Sequence, residues 1–293
     1  MSFNIYTFQE KKLPILTSWS ASTILKSLNE GKRTVLLTID LGLSWNLIEC
    51  YKDYVVLEDY IIDVKVLKEI AARGEDHVYV LEKRGLIRLS KYSNGKYYKL
   101  KAISSDKSPT LEINGIHMHR IEDITPWDDA CSKVESVNVR RGDIVLDVGT
   151  GLGYTSSWCL LKGASYIITI ECDIEVLKMA EYNPWSRMLS SNRVRIVLGD
   201  AYDVIRSFND EMFTVIIHDP PRFQLAGHLY SKKFYEELYR VLKRNGRLYH
   251  YTGSPKTLRG VDIARGVIKR LSTIGFDRVI RSTKVQGVIA FKY

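Results

Sequence analysis

The residues best suited to chemistry in this chain lie at the ends of apolar runs. Ile144 to Val148 is one such run, with Asp147 inside it. It breaks into three glycines at spacing two, Gly149, Gly151 and Gly153. Tyr154-Thr-Ser-Ser-Trp-Cys-Leu-Leu then reads as a helix. Strand, glycine loop and helix in that order suit a nucleotide-type ligand. Glycine lets the backbone approach the ligand, and the helix start offers N–H groups with no intrahelical partner. A tight turn with no ligand is the alternative reading of the loop alone. Three further acids follow the same pattern. Glu171 ends Tyr166-Ile-Ile-Thr-Ile, Asp200 ends Val194-Arg-Ile-Val-Leu-Gly, and Asp219 ends Phe213-Thr-Val-Ile-Ile-His. Asp219 heads the sequence Asp-Pro220-Pro221-Arg222-Phe223. A carboxylate at a rigid turn can accept N–H bonds and so orient an amine.

These residues need a scaffold that gathers strand ends. Strands alternate with helical segments from Ile144 onward, which predicts a parallel sheet with its ligands at the carboxyl ends. Glu171 lies 24 positions after Asp147, close to the ~20-residue offset between a glycine loop and a ribose-binding acid. Arg247 to Tyr251 reads as a fifth strand and Gly260 to Ile274 as a helix. Arg278 to Lys292 reads as two strands with little between them.

On these motifs the chain resembles the class I, Rossmann-like S-adenosylmethionine-dependent methyltransferases, over roughly residues 120–293. The resemblance implies an α/β fold with a seven-stranded sheet ending in an antiparallel hairpin. It implies that Gly149, Gly151 and Gly153 approach the methionine part of S-adenosylmethionine. Glu171 would bind the ribose hydroxyls and Asp200 would accept from the adenine amino group. The full donor set so implied is Asp147, Gly149, Thr150, Gly151, Gly153, Tyr154, Glu171, Cys172, Asp200, Ala201 and Asp219, with no metal. Asp219, Pro220, Arg222 and Phe223 would form the reacting centre.

More narrowly, the whole chain resembles an archaeal family of predicted methyltransferases. The residues that carry this are Pro109 to His119, Asn183-Pro-Trp-Ser186, His218 to Phe223 and His250-Tyr-Thr-Gly253. In amino-methylating relatives an acid or amide followed by Pro-Pro and an aromatic orients the amine, and the aromatic packs on the base. Here Arg222 holds the aromatic position and Phe223 comes one later. Arg222 could stack, or bind a phosphate or carboxylate. The expected reaction is N-methylation of a nucleobase amino group in tRNA or rRNA. The alternatives are transfer to a small amine, as in aminopropyltransferases, and protein N-methylation on the same core. Aminopropyltransferases carry a more glycine-rich loop and a different acid motif, which Gly149 to Gly153 and Asp219 to Arg222 match poorly.

The N-terminal third has another texture. Thr34 to Leu41, Val78 to Leu81 and Leu86 to Leu89 are β-rich runs, and Ser93-Asn-Gly95 is a strong hairpin turn, with Lys83-Arg-Gly85 a second. Val64 to Arg73 reads as a short helix that stops near Gly74. We expect a small β-rich domain over 1–108, a linker at Ser104 to Pro109, and the catalytic domain over 109–293.

The net charge of +9 is unevenly spread. Arg222 to Tyr293 holds sixteen Lys/Arg and four Asp/Glu, so residues 1–221 are slightly acidic. Lys83 to Lys101 holds seven basic residues and no acid, interleaved with Tyr92, Tyr97 and Tyr98. Such patches, Lys83 to Lys101 and Arg222 to Lys292, suit phosphates and stacked bases, so RNA is the expected partner. A solvated basic face is the plain alternative. Four cysteines, Cys50, Cys131, Cys159 and Cys172, lack metal-ligand spacing and read as reduced thiols. His117 and His119 share one face of a possible strand without further ligands nearby. No apolar run is long enough for a membrane span, and the N-terminus lacks a signal-peptide pattern. A cytoplasmic protein is expected.

Overall fold

The computed structural model describes residues 4–74, 76–83, 85–253 and 262–293. Arg84, Lys256, Arg259 and Gly260, which the sequence reading places in basic patches or a helix, lie outside the described residues. The chain divides into two compact units. One holds the described part of Met1–Phe8 with Trp127–Leu177 and Met188–Tyr293; the other holds Gln9–Pro126 and Lys178–Arg187.

The first unit is built on an eight-stranded sheet. Its order is Ile5–Tyr6, Val194–Leu198, Tyr166–Glu171, Ile144–Val148, Phe213–His218, Leu242–Tyr251, Gly287–Lys292, Arg278–Ser282. The five strands from Val194–Leu198 to Leu242–Tyr251 run parallel. The terminal pair is antiparallel, Gly287–Lys292 lying between Leu242–Tyr251 and Arg278–Ser282.

The central strands are apolar on both faces because helices cover both faces. Val145, Ile167, Val215, Ile217 and Tyr249 point to one side and join Val134, Cys159 and Leu160. Leu146, Val148, Ile168, Ile170, Ile216 and Leu248 point to the other and join Phe234, Leu238, Val267 and Leu271. The helices Pro126–Ser136 and Tyr154–Leu161 thus serve one face, and Lys232–Val241 and Ile263–Ile274 the other. Strand order reverses at Ile144–Val148, whose neighbours are the next strand on one side and Phe213–His218 on the other. That reversal opens a crevice at the carboxyl ends.

The eighth strand was not expected. Ile5 pairs antiparallel with Val197 and Tyr6 with Ile196. These residues, assigned by sequence to the N-terminal domain, instead cover an exposed sheet edge. Two residues are too few to show a period.

The second unit contains three small antiparallel sheets. Helix Ser18–Asn29 starts with a capping box between Thr17 and Ser20, and Val64–Ala72 starts on the Asp63 side chain. Asn94 and Gly95 both have positive φ, 49° and 75°, and close the hairpin Ser90–Ser93 to Lys96–Lys101. The segment expected to be a linker behaves differently. Lys101 pairs with Thr110 across it, so Ser104 to Pro109 is a loop inside one sheet. Strands Thr110–Ile113 and Ile116–His117 therefore belong with this unit and not with the first. No helix among the described residues is long and apolar enough to cross a membrane.

Candidate functional site

The crevice of the first unit gathers most of the residues singled out above. Gly149 and Thr150 both donate their N–H to the carbonyl of Ile170, at 3.0 and 3.1 Å, so the loop turns back over the neighbouring strand. Gly149 has φ +94°, and a Cβ there would lie 2.6 Å from the Asp219 carbonyl oxygen. Glycine is thus required by direct contact with the Asp219 backbone. Gly153 has φ +74° and precedes helix Tyr154–Leu161 without a side-chain cap. Gly153 itself offers no capping side chain to the start of that helix, and a helix N-terminus is the kind of end that suits an anion or carboxylate. Tyr154 itself is buried, its ring meeting Trp127 edge-on at 5.8 Å.

Asp147 is fully buried. Its oxygens accept from Thr155 Oγ1 at 2.9 and 3.0 Å and from Ser156 Oγ at 2.5 Å, with Thr169 Oγ1 at 3.3 Å. The carboxyl therefore braces the glycine loop against the helix that follows it. Burial pushes its pKa up to about 7 against these stabilising hydroxyls. The folded protein holds this proton between about pH 4 and 7, where the unfolded chain has released it. The advantage is lost as pH rises through 7. Two buried imidazoles act in the opposite sense. Burial drives His218 down to about 3, and burial together with His218 lowers His250. The unfolded chain binds those protons below about pH 6.5, so stability is lost as pH falls. The Asp147→Asn variant is therefore expected to gain stability relative to the parent as pH rises from 5 to 8. A melting series of both proteins checks this, since the histidine contribution cancels in the difference.

Glu171 is also buried. Its Oε1 accepts from Cys172 N and Asp173 N, and its Oε2 from Gly151 N, each at 3.0 Å. Burial raises its pKa against these three N–H bonds. The Cys172 thiol also donates to Oε1 at 3.7 Å, whereas Oε2 accepts from Gly151 N, so the second lone pair of Oε2 is the position left for a ligand hydroxyl. The Cys172 thiol is pushed up to about 12 by desolvation and the adjacent Glu171, and so stays protonated near neutrality. Asp200 caps the short helix Ala201–Val204 through Tyr202 N at 2.8 Å. His228 Nε2 lies 3.0 and 3.2 Å from the two Asp200 oxygens, a contact the sequence reading did not foresee. Ala201 is buried at the first turn of that helix.

Asp219 ends strand Phe213–His218, its N–H bonded to the Val148 carbonyl at 3.0 Å. The Asp-Pro-Pro-Arg segment is held from behind. Tyr230 donates to the Pro221 carbonyl at 3.0 Å, and the Arg222 carbonyl accepts from Leu225 N and Ala226 N. Phe223 packs edge-on against Tyr230, ring centroids 5.4 Å apart, and stays 44% exposed. Arg222 is exposed.

Several site residues escaped the sequence reading. Lys133 Nζ lies 2.7 Å from Asp219 Oδ2 and 2.9 Å from Asp129 Oδ2, and the lysine is buried. A helix-start signal was available: Pro126 stands at the first turn, followed by Asp128 and Asp129. Tyr251 lies beneath Lys133, the ammonium 5.1 Å from its ring centroid. His218 and His250 lie beside Tyr230 with their rings tilted, the two imidazole centroids 4.3 Å apart.

The basic patches are smaller than the sequence suggested. In the second unit Lys99 pairs with Asp76 at 2.6 Å, and Lys101 with Asp76 and Glu112 at 3.5 and 3.3 Å. Tyr98 is in the core. His117 joins Glu112 at 3.1 Å, and His119 meets the Thr110 hydroxyl at 3.0 Å. In the first unit Arg240 binds Asp210 and Glu237, Arg247 binds Asp143, and Lys292 is buried against backbone carbonyls. Among the described residues of these patches, the exposed basic ones are Lys83, Arg88, Lys91 and Lys96 around Tyr92 in one unit, and Arg222, Lys232, Lys233, Arg244, Arg265, Lys269, Arg270, Arg278, Arg281 and Lys284 in the other.

Comparison with known proteins agrees with this architecture. The family described as "Methyltransferase domain" matches residues 146–250. An uncharacterized protein of Methanocaldococcus jannaschii is 44% identical over 282 residues, covering 94% of this chain and 95% of that one. A polyamine aminopropyltransferase of Prochlorococcus marinus is 25% identical over 177 residues, 58% of this chain and 62% of that one. Among solved structures, spermidine synthase from Thermotoga maritima superposes with a TM-score of 0.53 at 21% identity, over 69% of this chain and 71% of that one. The chain thus belongs to the same family as the M. jannaschii protein, and its larger unit has the class I, Rossmann-like fold of S-adenosylmethionine-dependent methyltransferases.

Proposed function

We propose that this protein transfers a methyl group from S-adenosylmethionine to an amino group of a nucleobase in RNA. The observation that carries the reading is Asp219, a partly open carboxylate at the switch point of the sheet, its backbone seated on Gly149. The residues present fit the donor. The helix start behind Gly153 and the glycine loop suit its methionine end. Glu171 has an acceptor position left for a ribose hydroxyl, and Asp200 is exposed enough to accept from an adenine amino group. When bound, S-adenosylmethionine supplies an electrophilic methyl group on a sulfonium, and transfer to nitrogen leaves the neutral thioether.

The protein's own residues do the rest. A base amino group has a delocalised lone pair and is a poor nucleophile. Asp219 accepts one of its N–H bonds and a backbone carbonyl of the Pro220-Pro221 turn the other. That pair of acceptors turns the lone pair toward the methyl carbon, and such positioning is the main requirement of an in-line displacement. The nitrogen gains the methyl carbon and sheds one proton through Asp219 to solvent. Proline suits the turn because it has no N–H to satisfy and a fixed φ.

One feature favours a nucleic acid over a polyamine. Exposed Arg222 three residues beyond Asp219 attracts a phosphate and repels a polycation. The second reading, aminopropyl transfer to a small amine, is favoured by the polyamine aminopropyltransferases among the relatives.

One experiment separates the two. The protein is given S-adenosylmethionine with RNA from cells lacking its gene, and decarboxylated S-adenosylmethionine with putrescine or spermidine. Methylated nucleosides by mass spectrometry support the first reading, and a lengthened polyamine replaces it with the second. Donor binding has its own test. Glu171→Ala is expected to weaken S-adenosylmethionine binding by about 1.5–3 kcal/mol, the scale of one charge-assisted bond, with Glu171→Gln in between. Calorimetry measures both.

A further inference from the structure

Lys133 is a buried cation that the reading above does not use. It reaches the reacting centre from helix Pro126–Ser136, 86 positions before Asp219. Burial alone would lower its pKa, but the carboxylates of Asp219 and Asp129 more than offset this and keep it charged. An ammonium has three donors. Two are met by Asp219 Oδ2 and Asp129 Oδ2, and the Tyr251 ring face lies under the charge. An ion pair buried this deeply contributes little to stability compared with apolar packing. Its position against the one carboxylate able to orient an amine points to another use.

We infer that Lys133 is a positioning residue: by holding Oδ2 of Asp219, it fixes where Oδ1 meets the acceptor amine. This rests on the assignment of Asp219 as the amine's acceptor. Held by one oxygen only, a carboxylate swings about its side-chain torsions. Lys133 removes that freedom from a helix that is itself packed on the sheet through Val134 and Val137. A second consequence is electrostatic. Asp129, Lys133 and Asp219 together carry one negative charge, where the two carboxylates alone would carry two. The other groups facing Asp219 are Asp147 from strand Ile144–Val148, Tyr251 from strand Leu242–Tyr251, and Tyr230; Arg222 follows in its own loop and also faces Tyr251. Lys133 is the cation that balances this acidic surrounding, so it also tempers the attraction for a sulfonium.

The test uses the whole chain with Lys133→Met, Lys133→Arg and Asp129→Asn. The first arm needs no acceptor. Calorimetry gives the affinities for S-adenosylmethionine, a cation at sulfur, and S-adenosylhomocysteine, which is neutral there. Lys133→Met is expected to shift the ratio of affinities toward the sulfonium by about three- to tenfold at pH 8, while Lys133→Arg leaves it in place. Asp129→Asn shifts it the other way and serves if Lys133→Met does not fold. In the second arm, with acceptor, Lys133→Met is expected to lower kcat about 30-fold or more without raising the KM for the donor, and Lys133→Arg to restore much of it. A merely structural lysine would change melting temperature and leave kcat per folded molecule unchanged, and that result overturns the positioning role; an unchanged ratio overturns the electrostatic consequence. If the parent protein binds neither ligand, the donor assignment fails instead. If it binds both but modifies neither RNA nor polyamine, the acceptor assignment fails together with the positioning role that rests on it, and the calorimetric arm then reads only the charge that Lys133 places beside the donor.

Discussion

Asp219→Ala is expected to cut turnover by roughly a hundredfold or more, the scale of a lost positioning contact. S-adenosylhomocysteine should bind within about threefold of the parent, and S-adenosylmethionine less than about tenfold more weakly, since one nearby negative charge is gone. The fold should survive, because Lys133 keeps Asp129 at 2.9 Å as its counterion. Asparagine tests the direction of the hydrogen bond. Lys133 donates to Oδ2 at 2.7 Å and would claim the amide oxygen, turning the amide N–H₂ toward the acceptor amine. A donor facing a donor orients nothing, so Asp219→Asn should be nearly as slow as alanine. Steady-state rates with the identified acceptor, alongside calorimetry, check the pattern. An alanine variant with turnover intact would make the Asp-Pro-Pro turn structural. Arg222→Ala complements it: a loss mainly in RNA affinity marks a phosphate contact, and a loss mainly in kcat marks a role at the amine.

The second large effect is expected at Gly149. Alanine there meets two penalties. At φ +94° a Cβ is strained by about 1–2 kcal/mol, and its place lies 2.6 Å from the Asp219 carbonyl oxygen. Overpacking against backbone adds about 1–3 kcal/mol. Relief can come only by moving Asp219 or the glycine loop, so both donor affinity and turnover should fall. This distinguishes it from Asp219→Ala, which spares the product's affinity. Gly142 is the control, with φ +89° and nothing within 4 Å of an added Cβ. Gly142→Ala should lose stability from backbone strain alone and keep its turnover per folded molecule. Denaturant unfolding and activity on the three proteins check the contrast. Equal losses at both glycines would show that the contact with Asp219 is unimportant.

The parts of this protein legible in its sequence are those whose signal is local. The run Ile144 to Val148, the glycines behind it and the helix at Tyr154 follow one another within about a dozen positions, and each is set by backbone sterics or burial period. The acids Glu171, Asp200 and Asp219 follow from the same rule, since each ends an apolar run and parallel topology brings such ends together. The closing hairpin was legible too, because strands Arg278–Ser282 and Gly287–Lys292 are joined by a short turn.

What the tertiary structure alone decided depends on partners far apart in the chain. Nothing near Lys133 announces that it will meet Asp219. Nothing in Lys99 or Lys101 tells that Asp76 and Glu112 will neutralise them, so a run that looks like a phosphate-binding patch is partly an internal ion-pair network. Ile5 and Tyr6 become a strand only because Val194–Leu198 leaves an edge to cover. Asp147, an acid beside a glycine loop, accepts from the hydroxyls of Thr155, Ser156 and Thr169, partners that its own position does not announce. The physical reason is the same in each case. Backbone conformation and burial period are fixed by neighbours a few residues away, whereas the charge state and availability of a side chain are set by whichever groups the fold packs around it.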